Sequence, residues 1–301
     1  MQASELFNQP NTILLDGGMG TMLQAAGMKL GTRPEDLNIE NPELIRSIHA
    51  KYAAAGSRVV NANTFGASPH KLADSKYTLE EVITAGIANC KQAVAPYGAL
   101  VTLDVGPLGE LLEPSGTLAF EDAVAEYGRI VRAGVAAGAD ILYFETFTDL
   151  YEMKAALLAA KENSTLPIMA SMSFEANGRT FTGCTVESFA ATARGLGANA
   201  VGINCSLGPK EIFPMAKRLA EAVPGDFPVF VKPNAGLPRA DGSGYDITPQ
   251  LYAMQMKPYR ELHLFAAGGC CGRCSTACLP IASRAARSTR CSRSSAARWT
   301  A

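Results

Sequence analysis

The hydrophobic residues of this chain recur in short, β-branched runs, and most runs are followed by a segment with the apolar spacing of a helix. Eight runs predict strands, at residues 12–18, 58–65, 99–106, 139–146, 167–174, 198–205, 228–236 and 261–269. Six segments rich in Ala, Leu, Glu and Lys predict helices, at residues 40–56, 78–94, 120–138, 149–163, 185–197 and 209–223. Several of them end at glycine, as is common at a helix C-terminus.

Eight strands alternating with helical segments predict an α/β fold, the (β/α)8 TIM barrel, which typically needs roughly 250 residues. An open doubly wound sheet is the alternative. Eight regular units, without a G-x-G-x-x-G motif after the first strand, favour the barrel. We therefore expect one barrel domain over residues 1–272, followed by an atypical tail over residues 273–301 in place of the closing helix.

The tail differs in composition from the rest of the chain. It contains six arginines and no acidic residue, and it consists largely of Arg, Ser and Ala. A basic interaction tail is one interpretation. The abrupt change favours another, in which the stretch was translated in a shifted frame or is otherwise not native sequence. Nucleic-acid contact is disfavoured, because Trp299 is the only aromatic residue among the arginines.

Composition excludes several classes of partner. The net charge of −1 over 301 residues gives no electrostatic basis for binding nucleic acid or an anionic membrane. The sequence lacks the run of about 18 apolar residues that a membrane span requires, and its polar N-terminal stretch predicts no signal peptide. Eight cysteines in such a chain favour a reducing compartment. We therefore predict a cytoplasmic protein.

Polar and sulfur-containing side chains stand where the predicted strands end. In barrel enzymes the active site lies at the C-terminal ends of the strands. The residues at these ends are Asp16, Asn63, Asp104, Glu145, Ser173, Cys205, Asn234, Cys270 and Cys271. This register predicts an active site at the barrel mouth.

Three of these strand-end residues are cysteines. Cys205 ends the sixth strand, and Cys270 and Cys271 end the eighth, between glycines that allow the backbone to turn both thiols inward. Three thiolates suit Zn²⁺ and leave its fourth position open, which is typical of a catalytic zinc. The alternative, a buried core cysteine, fits Cys90 and Cys184 better, since they lie in a helix and a loop.

A zinc ion with three thiolate ligands favours a particular chemistry. The complex is electron-rich, so it activates water poorly. It still lowers the pKa of an incoming thiol and holds the sulfur as a nucleophilic thiolate. This donor set therefore predicts alkyl transfer to a substrate thiol rather than hydrolysis.

The remaining strand ends favour an amino-acid substrate. The backbone N–H groups of the glycine loop after the first strand can bind a carboxylate. Asp16 and Glu145 can pair with an ammonium group. The alternatives are that Asp16 caps the following segment and that Glu145 pairs with a lysine.

Seven separate motifs carry a resemblance to a known family. They are LLDGGMGT (14–21), NANTFGAS (61–68), LDVGPLGELLEPSG (103–116), YFETFTD (143–149), GINCSLGP (202–209), VKPNAGLP (231–238) and GGCCG (268–272). With these motifs the chain resembles the homocysteine S-methyltransferase family, in particular the N-terminal homocysteine-binding module of cobalamin-dependent methionine synthase. The likeness covers residues 10–272. The family continues the last motif with Thr-Thr-Pro and a closing helix, and this chain does not.

The resemblance implies roles for individual residues. It implies zinc on Cys205, Cys270 and Cys271, with homocysteine thiolate as the fourth ligand and methionine as the product. It implies that Asp16 and Glu145 bind the substrate amino group, and that Asn234 ligates zinc when substrate is absent. The other residues expected to bind substrate are Gly17, Gly18, Thr21 and Asn63.

The methyl donor implied by the resemblance is methylcobalamin on a separate corrinoid-binding domain or protein. S-methylmethionine, S-adenosylmethionine and betaine are alternative donors. A catalytically inactive zinc–thiolate binding module is another alternative. A further alternative is a tail-borne metal centre for electron transfer, because Cys271, Cys274 and Cys278 form a C-x₂-C-x₃-C spacing similar to that of iron–sulfur proteins.

Overall fold

A computed structural model describes residues 3–9, 11–29, 31–239 and 244–272. The predicted tail, with Cys274, Cys278 and Cys291, lies outside the described residues.

Eight parallel strands form the barrel that the hydrophobic pattern predicted. They are β1 Ile13–Leu14, β2 Val59–Asn61, β3 Leu100–Val105, β4 Ile141–Phe147, β5 Ile168–Met172, β6 Ala200–Asn204, β7 Val229–Lys232 and β8 Ala266–Ala267. Their hydrogen-bonded order is β1-β8-β7-β6-β5-β4-β3-β2. A parallel bridge between Leu15 and Val59 joins the two ends of this order, and the Arg58 N–H donates to the Leu14 carbonyl at 2.8 Å. The sheet closes on itself, which confirms the TIM barrel and excludes the open sheet.

Helices surround the strands. They are α1 Ala3–Leu6, α2 Met19–Ala25, α3 Leu37–Glu40, α4 Pro42–Ala54, α5 Leu79–Val94, α6 Phe120–Ala136, α7 Leu150–Asn163, α8 Val186–Gly195, α9 Pro209–Glu221 and α10 Pro249–Gln255. Local sequence determines where α5 begins. The Glu81 N–H donates to Thr78 Oγ1 at 3.3 Å, and the Thr78 N–H donates to the Glu81 carboxylate at 2.9 Å. This capping box satisfies two N–H groups that have no partner within the helix.

Two apolar layers stabilise the barrel. The larger layer lies between the strands and the outer helices, and the smaller fills the N-terminal part of the barrel interior. The smaller layer includes Leu15, which directly follows β1, and the strand residues Val59, Leu100, Ile141, Tyr143, Met169, Ala200 and Phe230. Leu6 is buried against this layer, and Phe7 stacks on Phe265 with ring centroids 5.1 Å apart. The apolar filling leaves the C-terminal part of the interior for polar groups.

The predicted strand at residues 261–269 is wrong over its first part. Residues Lys257–Leu262 form a 3-10 helix, and His263 follows with a φ of 49°. The side chains explain the difference, because Tyr259 packs edge-on against Phe213 of α9 and donates to the Pro209 carbonyl at 2.6 Å. The segment therefore packs outside the barrel, and only Ala266–Ala267 pair as a strand.

Among the described residues, no helix combines the length and apolar character needed to cross a membrane.

Candidate active site

Three cysteine sulfur atoms meet at the C-terminal mouth of the barrel. Cys205 directly follows β6, and Cys270 and Cys271 follow β8. Their Sγ atoms all lie within 4.8 Å of one another. Cys270 is 9% exposed, and the other two are half-buried. Across the described ranges, these three side chains form the group that is close enough to bind one metal ion.

The loop after β7 fixes the adjacent cysteines. The Cys270 N–H donates to the Pro233 carbonyl at 3.0 Å. The Cys271 N–H donates to Asn234 Oδ1, also at 3.0 Å. Asn234, expected as a ligand in the absence of substrate, thus lies beside the pair with its side-chain oxygen already accepting a hydrogen bond.

Cys205 is held in an unusual backbone conformation. Its φ is 63° and that of Ser206 is 60°, both in the left-handed region that residues with a side chain rarely adopt. The Cys205 N–H donates to the Lys232 carbonyl at 3.1 Å and continues the pairing of β6 with β7. Left-handed residues of this kind often occur at functional sites, and here the bend begins at the first predicted metal ligand.

The glycines beside the cysteine pair are required by space. Gly272 has a φ of 74°, and a Cβ there would lie 2.3 Å from Cγ of Tyr245. A Cβ on Gly268 would lie 2.7 Å from Leu15 Cβ and 2.8 Å from the Asp16 carbonyl oxygen. The backbone before and after the cysteine pair can therefore follow this path only with glycine at positions 268 and 272.

The three thiols share their protons unevenly. Hydrogen bonds from Cys205 and Cys270, with a smaller contribution from Tyr245, lower the pKa of Cys271 to about 3. Hydrogen bonds with Cys205 and Cys271, together with burial, raise the pKa of Cys270 well above its usual value. For Cys205, the bond with Cys270 lowers the pKa, but the bond with Cys271 and burial outweigh it. Hydrogen bonding within the cluster therefore stabilises a thiolate best at Cys271.

Asn204 connects the cysteines to neighbouring strands. Its Nδ2 lies 3.9 Å from Cys270 Sγ and donates to Thr146 Oγ1 at 2.7 Å. Its Oδ1 accepts from the Thr146 N–H at 3.0 Å and from Ser171 Oγ at 2.7 Å. The Ser171 hydroxyl also pairs with the Tyr143 hydroxyl at 2.9 Å. This fully buried amide is thus fixed by both of its polar atoms beneath Cys270.

Asp16 and Glu145 lie at the same mouth, and a lysine lies between them. Lys232 Nζ is 3.0 Å from Asp16 Oδ1 and 3.4 Å from Glu145 Oε2. Asp16 Oδ2 accepts from the Asn61 N–H at 2.7 Å. Pairing with a lysine, the alternative interpretation of Glu145, thus describes one of its contacts. Asp16 does not cap α2, which begins after Gly18 without a side-chain cap.

Burial and pairing have opposite effects on these charges. Burial raises the pKa of Asp16 and of Glu145, and the positive charge of Lys232 lowers both. Burial lowers the pKa of Lys232, but Asp16 and Glu145 outweigh it and hold this pKa well above its usual value. Lys232 therefore carries a buried positive charge near neutral pH.

The glycine loop after β1 lies against the cysteine pair. A Cβ on Gly18 would lie 3.0 Å from the Cys270 carbonyl oxygen. The Gly18 carbonyl accepts from Tyr52 Oη at 3.1 Å and from Thr21 Oγ1 at 3.4 Å. Gly17 is buried in this loop, and Thr21 is half-buried in the first turn of α2. The loop predicted to bind the substrate carboxylate is therefore adjacent to the backbone of Cys270.

Asn63 supports a neighbouring loop. Its Nδ2 donates to the Pro34 carbonyl at 2.7 Å and to Asn38 Oδ1 at 2.9 Å. The side chain is 4% exposed. Both amide hydrogens are thus engaged within the protein, which leaves only Oδ1 for the predicted contact with substrate.

Two further cysteines lie away from the cluster. Cys90 is fully buried in α5, with its Sγ 3.8 Å from the Val60 carbonyl oxygen. Cys184 is half-buried, and burial raises its pKa to about 11. Both positions fit the structural interpretation that the sequence favoured for these two thiols.

Sequence reasoning did not single out Lys232, Asn204 or the side chain of Asp104. Lys232 could have been found, since it ends a buried apolar run, V-F-V-K, and a buried lysine needs acidic partners. Asn204 immediately precedes Cys205, but its hydrogen bonds depend on strands distant in sequence. Asp104 stands at a predicted strand end, but the sequence indicates no role for its side chain.

The chain matches known proteins along most of its length. A family model described as homocysteine S-methyltransferase matches residues 13–278. The methionine synthase of Mycobacterium tuberculosis is 30% identical over 278 residues, which are 85% of this chain and 23% of that protein. The methionine synthase of Mycobacterium leprae is also 30% identical, over 279 residues. The chain thus spans about a quarter of the length of these relatives.

Solved structures show the same fold. The oxidised form of the Escherichia coli homocysteine methyltransferase MmuM superposes with a TM-score of 0.80 at 24% identity, covering 93% of this chain and 98% of that one. The metallated form gives a TM-score of 0.78 at 22% identity, with the same coverage. At these identities, the likeness supports the barrel fold alone.

Proposed function

This chain belongs to the homocysteine S-methyltransferase family, and we propose that it transfers a methyl group to the thiol of homocysteine, which yields methionine. One observation carries the proposal. Cys205, Cys270 and Cys271 converge at the C-terminal mouth of the barrel, beside buried carboxylates that can bind an amino group. Alkyl transfer to a thiol is the chemistry that such a sulfur cluster favours.

The three thiols fit a zinc ion. Ligand sulfurs at about 2.3 Å from zinc in a tetrahedron are roughly 3.8 Å apart, and the three Sγ atoms lie within 4.8 Å of one another. Cys205, Cys270 and Cys271 would hold the metal and leave one position for the substrate thiol, or for Asn234 when substrate is absent. When bound, zinc would supply a soft Lewis acid that lowers the pKa of an incoming thiol.

The remaining residues would orient the amino acid. We propose that Asp16 and Glu145 bind the substrate ammonium group, as carboxylates at the same mouth as the thiols. The backbone N–H groups from Gly17 and Gly18 to Thr21 in the first turn of α2 would bind the substrate carboxylate, and Gly18 lies against the Cys270 carbonyl. Asn63 would contribute its Oδ1.

We propose methylcobalamin on a corrinoid-binding domain or protein as the methyl donor. The relatives that support this choice are methionine synthases about four times as long as the matched region. Exposed apolar side chains also surround the barrel mouth, on loops that follow four strands. They are Phe65 (37% exposed), Leu111 (41%), Phe181 (73%) and Leu237 (56%). We propose that these side chains contact a protein-borne donor.

A cytoplasmic location is part of the proposal, because the three thiols must stay reduced to bind metal.

Product analysis tests the function. The purified protein would be analysed for metal and then incubated with homocysteine and, separately, methylcobalamin, S-methylmethionine, S-adenosylmethionine or betaine. We expect one zinc per chain and methionine formation with methylcobalamin. Methionine from another donor would replace the donor assignment. Zinc without methionine from any donor would indicate an inactive zinc–thiolate module, and a brown iron–sulfur chromophore would indicate a metal centre in the tail.

A further inference from the structure

Polar side chains occupy the C-terminal part of the barrel interior, above the apolar filling. Side chains two positions apart on a strand point to the same face. Asp104 on β3 therefore faces inward like Leu100, and Glu145 on β4 faces inward like Tyr143. Asp104 and Tyr143 are paired neighbours across the two strands. Asp104 thus lies level with Tyr143, and Glu145 is the next inward-facing residue toward the barrel mouth on the adjacent strand.

The acidic groups in this region outnumber the basic ones. Lys232 is 2% exposed and binds Asp16 and Glu145 at 3.0 and 3.4 Å. Its Nζ also lies 5.2 Å from the centre of the Tyr143 ring. One lysine is thus shared by two carboxylates, and Asp104 is a third carboxyl group in the same interior. Because the carboxyl groups outnumber the lysine, the site can accommodate the positive charge of a second cation.

Asp104 is the group whose hydrogen-bonding capacity is not used. It is 6% exposed, and its Oδ1 is buried without a hydrogen-bond partner among the described residues. Burial raises the pKa of Asp104 well above its usual value, Glu145 raises it further, and Lys232 lowers it. A buried carboxyl oxygen without a partner costs stability. A structural role does not explain such a residue, whereas a cationic ligand would supply the missing hydrogen-bond donor.

We propose that Asp104 is a third carboxylate of the amino-group site, whose unpartnered oxygen accepts a hydrogen bond from the ammonium group of an α-amino thiol substrate. The inference rests on the proposed function and adds a specificity-determining residue to it. Lys232 is a positioning residue, since it holds Asp16 and Glu145 and offsets one negative charge. A thiol without an ammonium group would leave Asp104 unpaired and would be bound less tightly.

Calorimetric titration of the zinc-loaded protein tests this role. The two ligands are homocysteine and 4-mercaptobutanoate, which keeps the thiol and carboxylate but lacks the amino group. The variants are Asp104→Asn and, as a second neutral replacement, Asp104→Ser. Glu152→Gln is the matched control, because Glu152 is also buried but accepts from the Leu108 N–H at 2.7 Å and from Tyr127 Oη at 2.8 Å, away from the thiols.

We expect Asp104→Asn to weaken homocysteine binding by about tenfold to a hundredfold, the usual range for one charge-assisted hydrogen bond. Binding of 4-mercaptobutanoate should change less than about twofold, and Glu152→Gln should change neither. Without substrate, the melting temperature of Asp104→Asn should stay close to that of the wild type, because the buried Oδ1 of Asp104 has no hydrogen-bond partner to lose. A purely structural residue would lower it.

Two results separate this inference from the proposed function. If wild type binds homocysteine but both Asp104 variants bind it equally well, or lose equal affinity for both ligands, Asp104 does not bind the ammonium group and only this inference fails. If zinc-loaded wild type binds neither thiol, the proposed function fails and the inference fails with it.

Discussion

Lys232 and Asp16 are 216 residues apart in sequence, yet Lys232 Nζ lies 3.0 Å from Asp16 Oδ1 inside the barrel. Closure of the sheet makes this contact, because β1 and β7 both pair with β8. The pair is almost completely buried, with side chains 2% and 4% exposed. A buried cation among the carboxylates predicted to bind an amino group has consequences for both stability and binding.

Lys232→Met should destabilise the protein by about 3–5 kcal/mol at pH 7, because removing one partner leaves buried carboxylates uncompensated. The change raises the pKa of Asp16 and Glu145 in the folded state further above their unfolded values. The folded variant then binds more protons than the unfolded chain. The loss of stability caused by Lys232→Met should therefore become smaller as the pH falls. Urea unfolding at pH 7 and at pH 5 measures both effects.

Lys91→Met is the control for the Lys232 variant. Lys91 is 41% exposed and pairs with Asp140 at 3.2 Å, an exposed pair worth about 0–1 kcal/mol. Equal stability of Lys232→Met and Lys91→Met would show that the buried pair is unimportant.

His49 should make stability depend on pH. It is fully buried, neither ring nitrogen has a partner within the described chain, and burial lowers its pKa from 6.5 to about 3. Below pH 6.5 the unfolded chain binds a proton that folded His49 does not. The stability that neutral His49 contributes is therefore complete above that pH and is lost as the pH falls. Between pH 7 and pH 5 the loss should be about 2 kcal/mol.

His49→Leu should remove this part of the pH dependence, and His70→Gln should not, since the His70 side chain is 51% exposed. Urea unfolding of the three proteins at pH 7 and pH 5 gives the comparison. A His49→Leu protein that loses as much stability on acidification as the wild type would exclude the assignment.

The sequence predicts the barrel well because the relevant signals are local. Each β-branched run and each helical spacing can be recognised within a few residues, and the eight-unit repeat then specifies the topology. The errors occur where pairing is short. Strand β8 has two residues, so the apolar residues of the preceding 3-10 helix resembled a strand. Contacts with α9, such as that between Tyr259 and Phe213, hold this segment outside the sheet.

The site is predictable in part for the same reason. Strand-end position marks Cys205, Cys270 and Cys271, because barrel closure brings strand ends together. The contact of Asp16 and Glu145 with Lys232 cannot be predicted in this way. Lys232 reaches both carboxylates across the barrel interior, and no spacing in the sequence indicates that contact. The hydrogen bonds of Asn204 to Thr146 and Ser171 likewise depend on the register of three strands.

Gly272→Ala should weaken zinc binding by tenfold or more. An added Cβ would lie 2.3 Å from Tyr245 Cγ at a φ of 74°, so the backbone must shift at the residue that follows Cys271. Gly183→Ala is the control, because Gly183 has a similar backbone conformation, with a φ of 88°, but an added Cβ there would have nothing within 4 Å. It should cost about 1–2 kcal/mol of stability and leave zinc affinity unchanged. Competition with a chromophoric chelator measures the affinities, and equal affinities in both variants would contradict the prediction.

Serine variants of the individual cysteines provide the most direct test of the metal site. A serine hydroxyl is a hard, largely protonated ligand that zinc binds far less well than a thiolate at neutral pH. Cys205→Ser, Cys270→Ser and Cys271→Ser should each lose most of the bound zinc and, with it, methionine formation. Cys184→Ser should keep both, because Cys184 is half-buried outside the cluster. Zinc content and methionine yield are measured on the same preparations.

The tail cysteines decide between the barrel site and the alternative metal centre. Serine at Cys274, Cys278 or Cys291 should leave zinc content and methyl transfer unchanged, since three sulfurs already converge within 4.8 Å at the barrel mouth. If Cys274→Ser or Cys278→Ser removes the metal while Cys205→Ser retains it, the metal is bound by the tail. The methyltransferase proposal would then lose the observation that carries it, because a metal held there would not depend on the convergence of β6 and β8.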